Sequence, residues 1–155
     1  MTGEIDARLT ALNIELPDAP APAANYVPFV LSGNLVFVSG QVPWVGGERN
    51  FVGKVGIDYT VEEGQDAART VALNIIAQVK AACDGDLDRV VRCIKLGGFV
   101  NCPDNFHQQP QVINGASDLM VDVFGDAGRH SRFAVGAPAL PFNVAVEIDA
   151  VFEVR

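Results

Sequence analysis

The sequence predicts an α+β fold in which two helices lie on one face of a single sheet of about six strands. Three observations predict it. Apolar residues recur at helical spacing in two stretches, one after Thr60 and one from Gln111 to Phe124. Runs rich in Val, Phe and Ile, separated by turn residues, fill much of the remainder. In chain order these stretches read β-β-(β)-α-β-α-β-β.

Glu4 to Leu12 can form a short helix, after which Pro17, Pro20 and Pro22, spaced by alanines, force an extended arm as far as Tyr26. Residues 1–25 therefore read as a lead-in to one domain spanning residues 1–155. Tyr26 to Leu31 and Asn34 to Ser39 are strands, with Ser32-Gly33 as a tight hairpin link. In the second of them Leu35 and Phe37 are apolar as well as Val36 and Val38, the pattern of a strand buried on both faces. With helices on one face only, a partner subunit is the simplest cover for the other. Gly46, Gly47, Gly53 and Gly56 mark a loop or irregular hairpin.

Thr60 and Glu63 have the spacing of a capping box, and Ala68, Val71, Ala72, Ile75, Val79, Ala82 and Cys83 continue a narrow helical stripe that Gly85 ends. Val90 to Val100 reads as a strand with a bulge at Gly97-Gly98, closed by the turn at Pro103-Asp104. Val112, Ala116, Leu119, Met120 and Val123 form the inner side of the second helix, and Gly125 follows its end. Arg132 to Ala137 and Asn143 to Val154 are the last strands, expected to pair as a hairpin around a Pro-containing turn. In the final strand Val144, Val146, Ile148, Ala150 and Phe152 face the helices, and Glu147, Asp149 and Glu153 face away. A hairpin without a bulge would set Arg132 across from Asp149 and close to Glu147 on that outer face.

Composition narrows the function. With 49% apolar and 19% charged residues the chain can bury a sizeable core, and 19 acidic against 11 basic residues give a net charge of −8. Phosphate backbones are repelled by that balance, so no nucleic-acid partner is expected. Cys83, Cys93 and Cys102 form no Cys-x-x-Cys pair, which suits a reducing compartment. His107 and His130 are the only histidines, so no metal is expected; no cofactor is expected either. Met1 to Leu12 lacks the apolar centre of a secretory signal and no later run has the length of a membrane span; a cytoplasmic location without a membrane partner is the expectation.

Arg132 and Glu147 are the leading site candidates, because a guanidinium fork grips a carboxylate through two parallel bonds and a nearby carboxylate orients water or takes a proton. From spacing alone, a structural ion pair is the commoner role of an Arg near an acidic residue. His130 reads as an exposed loop histidine, Cys83 as packing, and Trp44 as an anchor for the turn after the hairpin or a residue of a cleft rim.

Read together, Asn34-Leu-Val-Phe-Val-Ser-Gly-Gln-Val-Pro43, the alanine-rich helix after Thr60, Val112-Ile-Asn-Gly115, and Arg132 to Glu147 with Ala139-Leu-Pro141 between them resemble the YjgF/RidA family. The resemblance runs from Tyr26 to Val154. It implies a chorismate-mutase-like fold and a homotrimer with a central barrel and three clefts between subunits. It also implies hydrolytic deamination of enamines or 2-imino acids, with Arg132 on the substrate carboxylate and Glu147 on the attacking water. Tyr26, Ser39, Gly40 and Asn114 would line the same cleft, its two sides coming from different subunits. Some family members are described as endoribonucleases, a role that the net charge disfavours here. Deaminase members commonly carry a cysteine where this chain has Ala134. The arm is longer too, and Ala24-Asn25 and Gly128-Arg129-His130-Ser131 depart from the usual pattern. A non-catalytic trimer that binds small carboxylates, such as 2-oxo acids, is therefore the alternative.

Overall fold

A computed structural model describes residues 3–155. The elements are α1 (Glu4–Ala11), β1 (Phe29–Ser32), β2 (Leu35–Gln41), β3 (Trp44–Val45), β4 (Glu48–Arg49), α2 (Val61–Ala82), β5 (Val90–Asn101), α3 (Gln109–Phe124), β6 (Ser131–Ala137) and β7 (Val146–Val154). Five strands form one mixed sheet in the order β1-β2-β7-β5-β6, and β3 with β4 forms a separate two-stranded ribbon. The expected single sheet of about six strands is corrected accordingly, while α1 is the short helix expected from Glu4 to Leu12. Among the described residues no helix is long and apolar enough to cross a membrane.

Local signals set the helices. The Thr60 hydroxyl accepts from the Glu63 amide at 3.1 Å while the Glu63 carboxylate accepts from the Thr60 amide at 2.7 Å, closing the capping box that starts α2. Gly125, at φ 61°, ends α3. Asp88 takes the amides of Glu4 and Ile5 at 2.8 and 2.9 Å and so docks the start of α1. Those two bonds hold the Asp88 carboxyl below its usual range. Inside, Val71, Ile75, Ile76, Leu119, Met120, Val146, Ile148 and Phe152 form a core between α2, α3 and the sheet.

The hairpin turn lies at Gly33-Asn34, one residue later than expected, because Ser32 still pairs with Leu35; Gly33 supplies the positive φ of 60°. Register shifts in β5 lie between Val90 and Arg92 and between Cys93 and Lys95, not at the glycine pair. Gly97 and Gly98 instead allow close approach: a Cβ at Gly98 would lie 2.8 Å from Ile113 of α3, and one at Gly97 would strike Asp149 and Phe133.

The largest correction concerns the last two strands. β6 runs parallel to β5 at the sheet edge, and β7 lies antiparallel on the other side of β5, so no β6–β7 hairpin forms. The cause is the helix between β5 and β6, which returns the chain in the same direction as a crossover does. The linker that follows is pinned by buried Asn101, whose amide donates to the Val144 carbonyl at 3.0 Å and to Asn143 Oδ1 at 3.1 Å. Leu96 pairs with Arg132 on one side and Ala150 on the other, which places Arg132 on the helix-covered face. Glu147 alternates with buried Val146 and Ile148 and occupies the opposite face. Within one chain, Arg132 and Glu147 are not neighbours. The face away from the helices carries Phe37, Phe99 and Val135, each at least 39% exposed.

Candidate functional site

Glu147 lines a cavity of about 440 Å³ that Tyr26, Gly40, Trp44, Phe142 and the arm from Pro20 to Ala24 also help to wall. Gly40 makes room for its carboxylate: a Cβ there would stand 2.5 Å from Glu147 Oε1. Ser39 lies outside the cavity wall; its hydroxyl donates to the Val27 carbonyl at 2.7 Å and holds the segment after Tyr26 against β2. Trp44 both closes the turn after β2 and walls the cavity, and its buried indole N–H has no acceptor among the described residues.

Burial pushes the Glu147 carboxyl above the usual carboxylate range, and the Asp149 charge adds to the rise. The sign for stability follows. Between its ordinary value and the raised one, the folded chain holds a proton that the unfolded chain has lost, so this group's contribution falls as pH rises through that window. Glu147→Gln is therefore expected to raise stability at neutral pH and to flatten that decline, measured by denaturant unfolding across pH. Gly40→Ala is expected to swing the carboxylate aside without unfolding the chain, since the clash meets a side-chain end. Any turnover that uses Glu147 should then fall about 10-fold or more while the melting temperature stays nearly constant.

A second cluster lies across the sheet on α3 and β6. Arg132 Nη1 donates to Ser117 Oγ and Nη2 to the Pro110 carbonyl, both at 3.1 Å. The Ser117 hydroxyl lies 2.9 Å from His130 Nε2, and His130 Nδ1 lies 2.6 Å from the Gly128 carbonyl. The carbonyl can only accept, so Nδ1 carries the proton, and a neutral ring leaves Nε2 to accept from Ser117. The serine lone pairs then face Arg132, and the guanidinium is fixed rather than free. His130, expected to be a plain loop histidine, belongs to this support. Asn114, exposed on α3, falls one turn from both Pro110 and Ser117 and shares their stripe.

The two groups of candidate residues lie apart within one chain. Tyr26, Gly40 and Glu147 gather at one place, with Ser39 behind them; Arg132 and Asn114 gather at the other. Ala134 is half-buried beside the core. Cys83, Cys93 and Cys102 are buried, and burial pushes the Cys93 thiol up to about 12. Among the described residues no three His, Cys, Asp or Glu side chains gather as a metal site.

Residues 6–153 match the model of a family described as "YjgF/chorismate mutase-like, putative endoribonuclease". The chain belongs to this family. Protein TCP17 of Trypanosoma cruzi is 51% identical over 157 residues, spanning 99% of this chain and 96% of that protein. The crystal structure of Atu1372 from Agrobacterium tumefaciens superposes with a TM-score of 0.91 at 52% identity, covering 97% of this chain and 92% of the other. E. coli TdcF with bound serine matches at a TM-score of 0.63 and 26% identity, over 91% of this chain and 96% of that one.

As a YjgF-family chain, this protein shows features that sequence reasoning had missed. Ser117 and the Pro110 carbonyl orient Arg132; Ser117, at helical spacing from Asn114, was the legible part of that pair. The Pro20–Ala24 wall was visible only as an arm. Phe142 gave no signal, since its place depends on a φ of 56° that its side chain does not favour.

Proposed function

We propose that this protein binds small carboxylate-bearing metabolites in clefts between subunits of a trimer and hydrolyses 2-imino acids there. The observation that supports this reading is the placement of the candidate residues: one face presents Glu147 with Tyr26 and Gly40, the other presents Arg132 with Asn114, and neither group holds both the guanidinium and Glu147. A second copy that docks against the exposed apolar face, around Phe37 and Phe99, would bring the two halves together. Arg132, aimed by Ser117, grips the substrate carboxylate by its fork. Glu147 holds water beside the C=N carbon. Water then adds across that bond, oxygen to carbon and proton to nitrogen. The C–N bond of the resulting carbinolamine breaks, releasing ammonia and leaving a 2-oxo acid.

A guanidinium delivered by a neighbour would also lower the Glu147 pKa, opposing the effect of burial. Two observations favour a second reading, binding without turnover: Ala134 replaces the cysteine common in deaminases, and all three thiols are buried. Serine bound to TdcF is an amino-acid ligand in a relative, which suits either reading. Generating imino acids with an amino-acid oxidase and following 2-oxo acid release separates the two. Acceleration by wild-type protein is expected; carboxylate binding without acceleration would leave the second reading in place. RNA is disfavoured by the charge of −8.

A further inference from the structure

We propose that the cavity beside Glu147 receives the substrate's side chain, and that the site therefore selects 2-imino or 2-oxo acids with a bulky apolar group, aromatic rings above all. This rests on the carboxylate site proposed above. The cavity is continuous with that site, because Glu147 and Gly40 line it. Its other walls include Pro20, Pro22, Trp44 and Phe142, surfaces that suit a flat ring. A methyl or hydroxymethyl group would leave most of the roughly 440 Å³ to water.

The chamber is built, not left over. Asn74 and Gln78, one turn apart on α2, are each only 1% exposed. Asn74 donates to the Val42 and Trp44 carbonyls at 2.9 and 2.8 Å, and Gln78 donates to the Pro20 carbonyl at 2.6 Å. Buried amide N–H groups are costly unless bonded, and both amides donate to the cavity walls, one fixing the bend after β2 and the other the arm; Asn74 Oδ1 has no partner among the described residues. The Pro-Ala arm is stiff in its extended form, so it stands as a wall instead of collapsing inward. Phe142 occupies left-handed backbone, disfavoured for a bulky residue. That conformation sets its ring 4.8 Å from Trp44, with the Arg49 guanidinium 4.9 Å from one ring centre and 5.2 Å from the other. Strain and buried polarity are thus both concentrated on one apolar chamber next to the carboxylate.

The test compares pyruvate with phenylpyruvate by calorimetry on the full-length wild-type chain, Arg132→Ala and Ala24→Trp, the last placing a ring where Ala24 lines the chamber. Phenylpyruvate is expected to bind about 10- to 100-fold tighter than pyruvate, the range given by burying one aromatic side chain. Ala24→Trp should erase that preference, and Arg132→Ala should weaken both ligands. Equal, Arg132-dependent affinities would overturn the chamber's role while sparing the carboxylate site. No binding of either ligand would overturn the carboxylate site and the chamber's role with it. Phenylpyruvate binding that ignores Arg132→Ala would also refute the proposal, because the ring would then occupy the chamber without the acid end engaged.

Discussion

Arg132→Ala is expected to lower carboxylate affinity, and any kcat/KM for imino acids, by about 10- to 100-fold, the scale of a lost charge-assisted fork. Stability should change little. Among the described residues the guanidinium hydrogen-bonds only to Ser117 Oγ and the Pro110 carbonyl, near the sheet edge, and its removal leaves no buried charge unpaired. Arg132→Lys should recover only part of the loss, because an ammonium keeps the charge but not the planar pair of donors. Ser117→Ala supplies a second test, since it removes the support and keeps the fork. A loss intermediate between wild type and Arg132→Ala is expected there, measured by calorimetry with the same oxo acid.

Gly115→Ala should lower stability markedly, in the direction opposite to helix propensity. Alanine inside a helix is favoured over glycine by roughly 1 kcal/mol. Gly115, however, lies where α3 crosses α2, and a Cβ there would land on the Gln65 backbone carbonyl. A rigid backbone cannot swing away as the end of a side chain can. The helices must part, with a net loss of about 2–3 kcal/mol expected from overpacking. For a chain of this size that lowers the melting temperature by roughly 5–10 °C, readable by calorimetric or denaturant unfolding. An unchanged or higher melting temperature would mean that the two helices do not meet there as described.

What could be read from the sequence was local. The Thr60 cap, the stripe of α2, the inner side of α3 and the in-out alternation of β7 all depend on spacings within one element, and each is found where those spacings put it. Partnership between distant strands has no such signature. Arg132 and Glu147 were expected across a hairpin because their strands are consecutive, but α3 between β5 and β6 had already dictated a parallel return. The glycine pair in β5 misled in a similar way: it allows close packing against Ile113 and Asp149, whereas the true irregularities lie nearer Arg92. Tyr26, Gly40 and Glu147 line one cavity within the chain. Arg132 and Asn114 lie across the sheet, a separation that only topology reveals. The chamber walls were least legible, since Phe142 depends on a left-handed backbone and the arm on a hydrogen bond from Gln78.

The central claim, that one functional cleft takes Arg132 from one copy and Glu147 from another, is tested most directly by subunit complementation. Arg132→Ala and Glu147→Gln chains are each assayed alone for imino-acid hydrolysis, then unfolded together and refolded as a mixture. If clefts are shared, random assembly from equal amounts restores both wild-type groups to about one cleft in four, and activity should recover to roughly a quarter of wild type. A mixture that reassembles but stays as inactive as its two components would contradict the account.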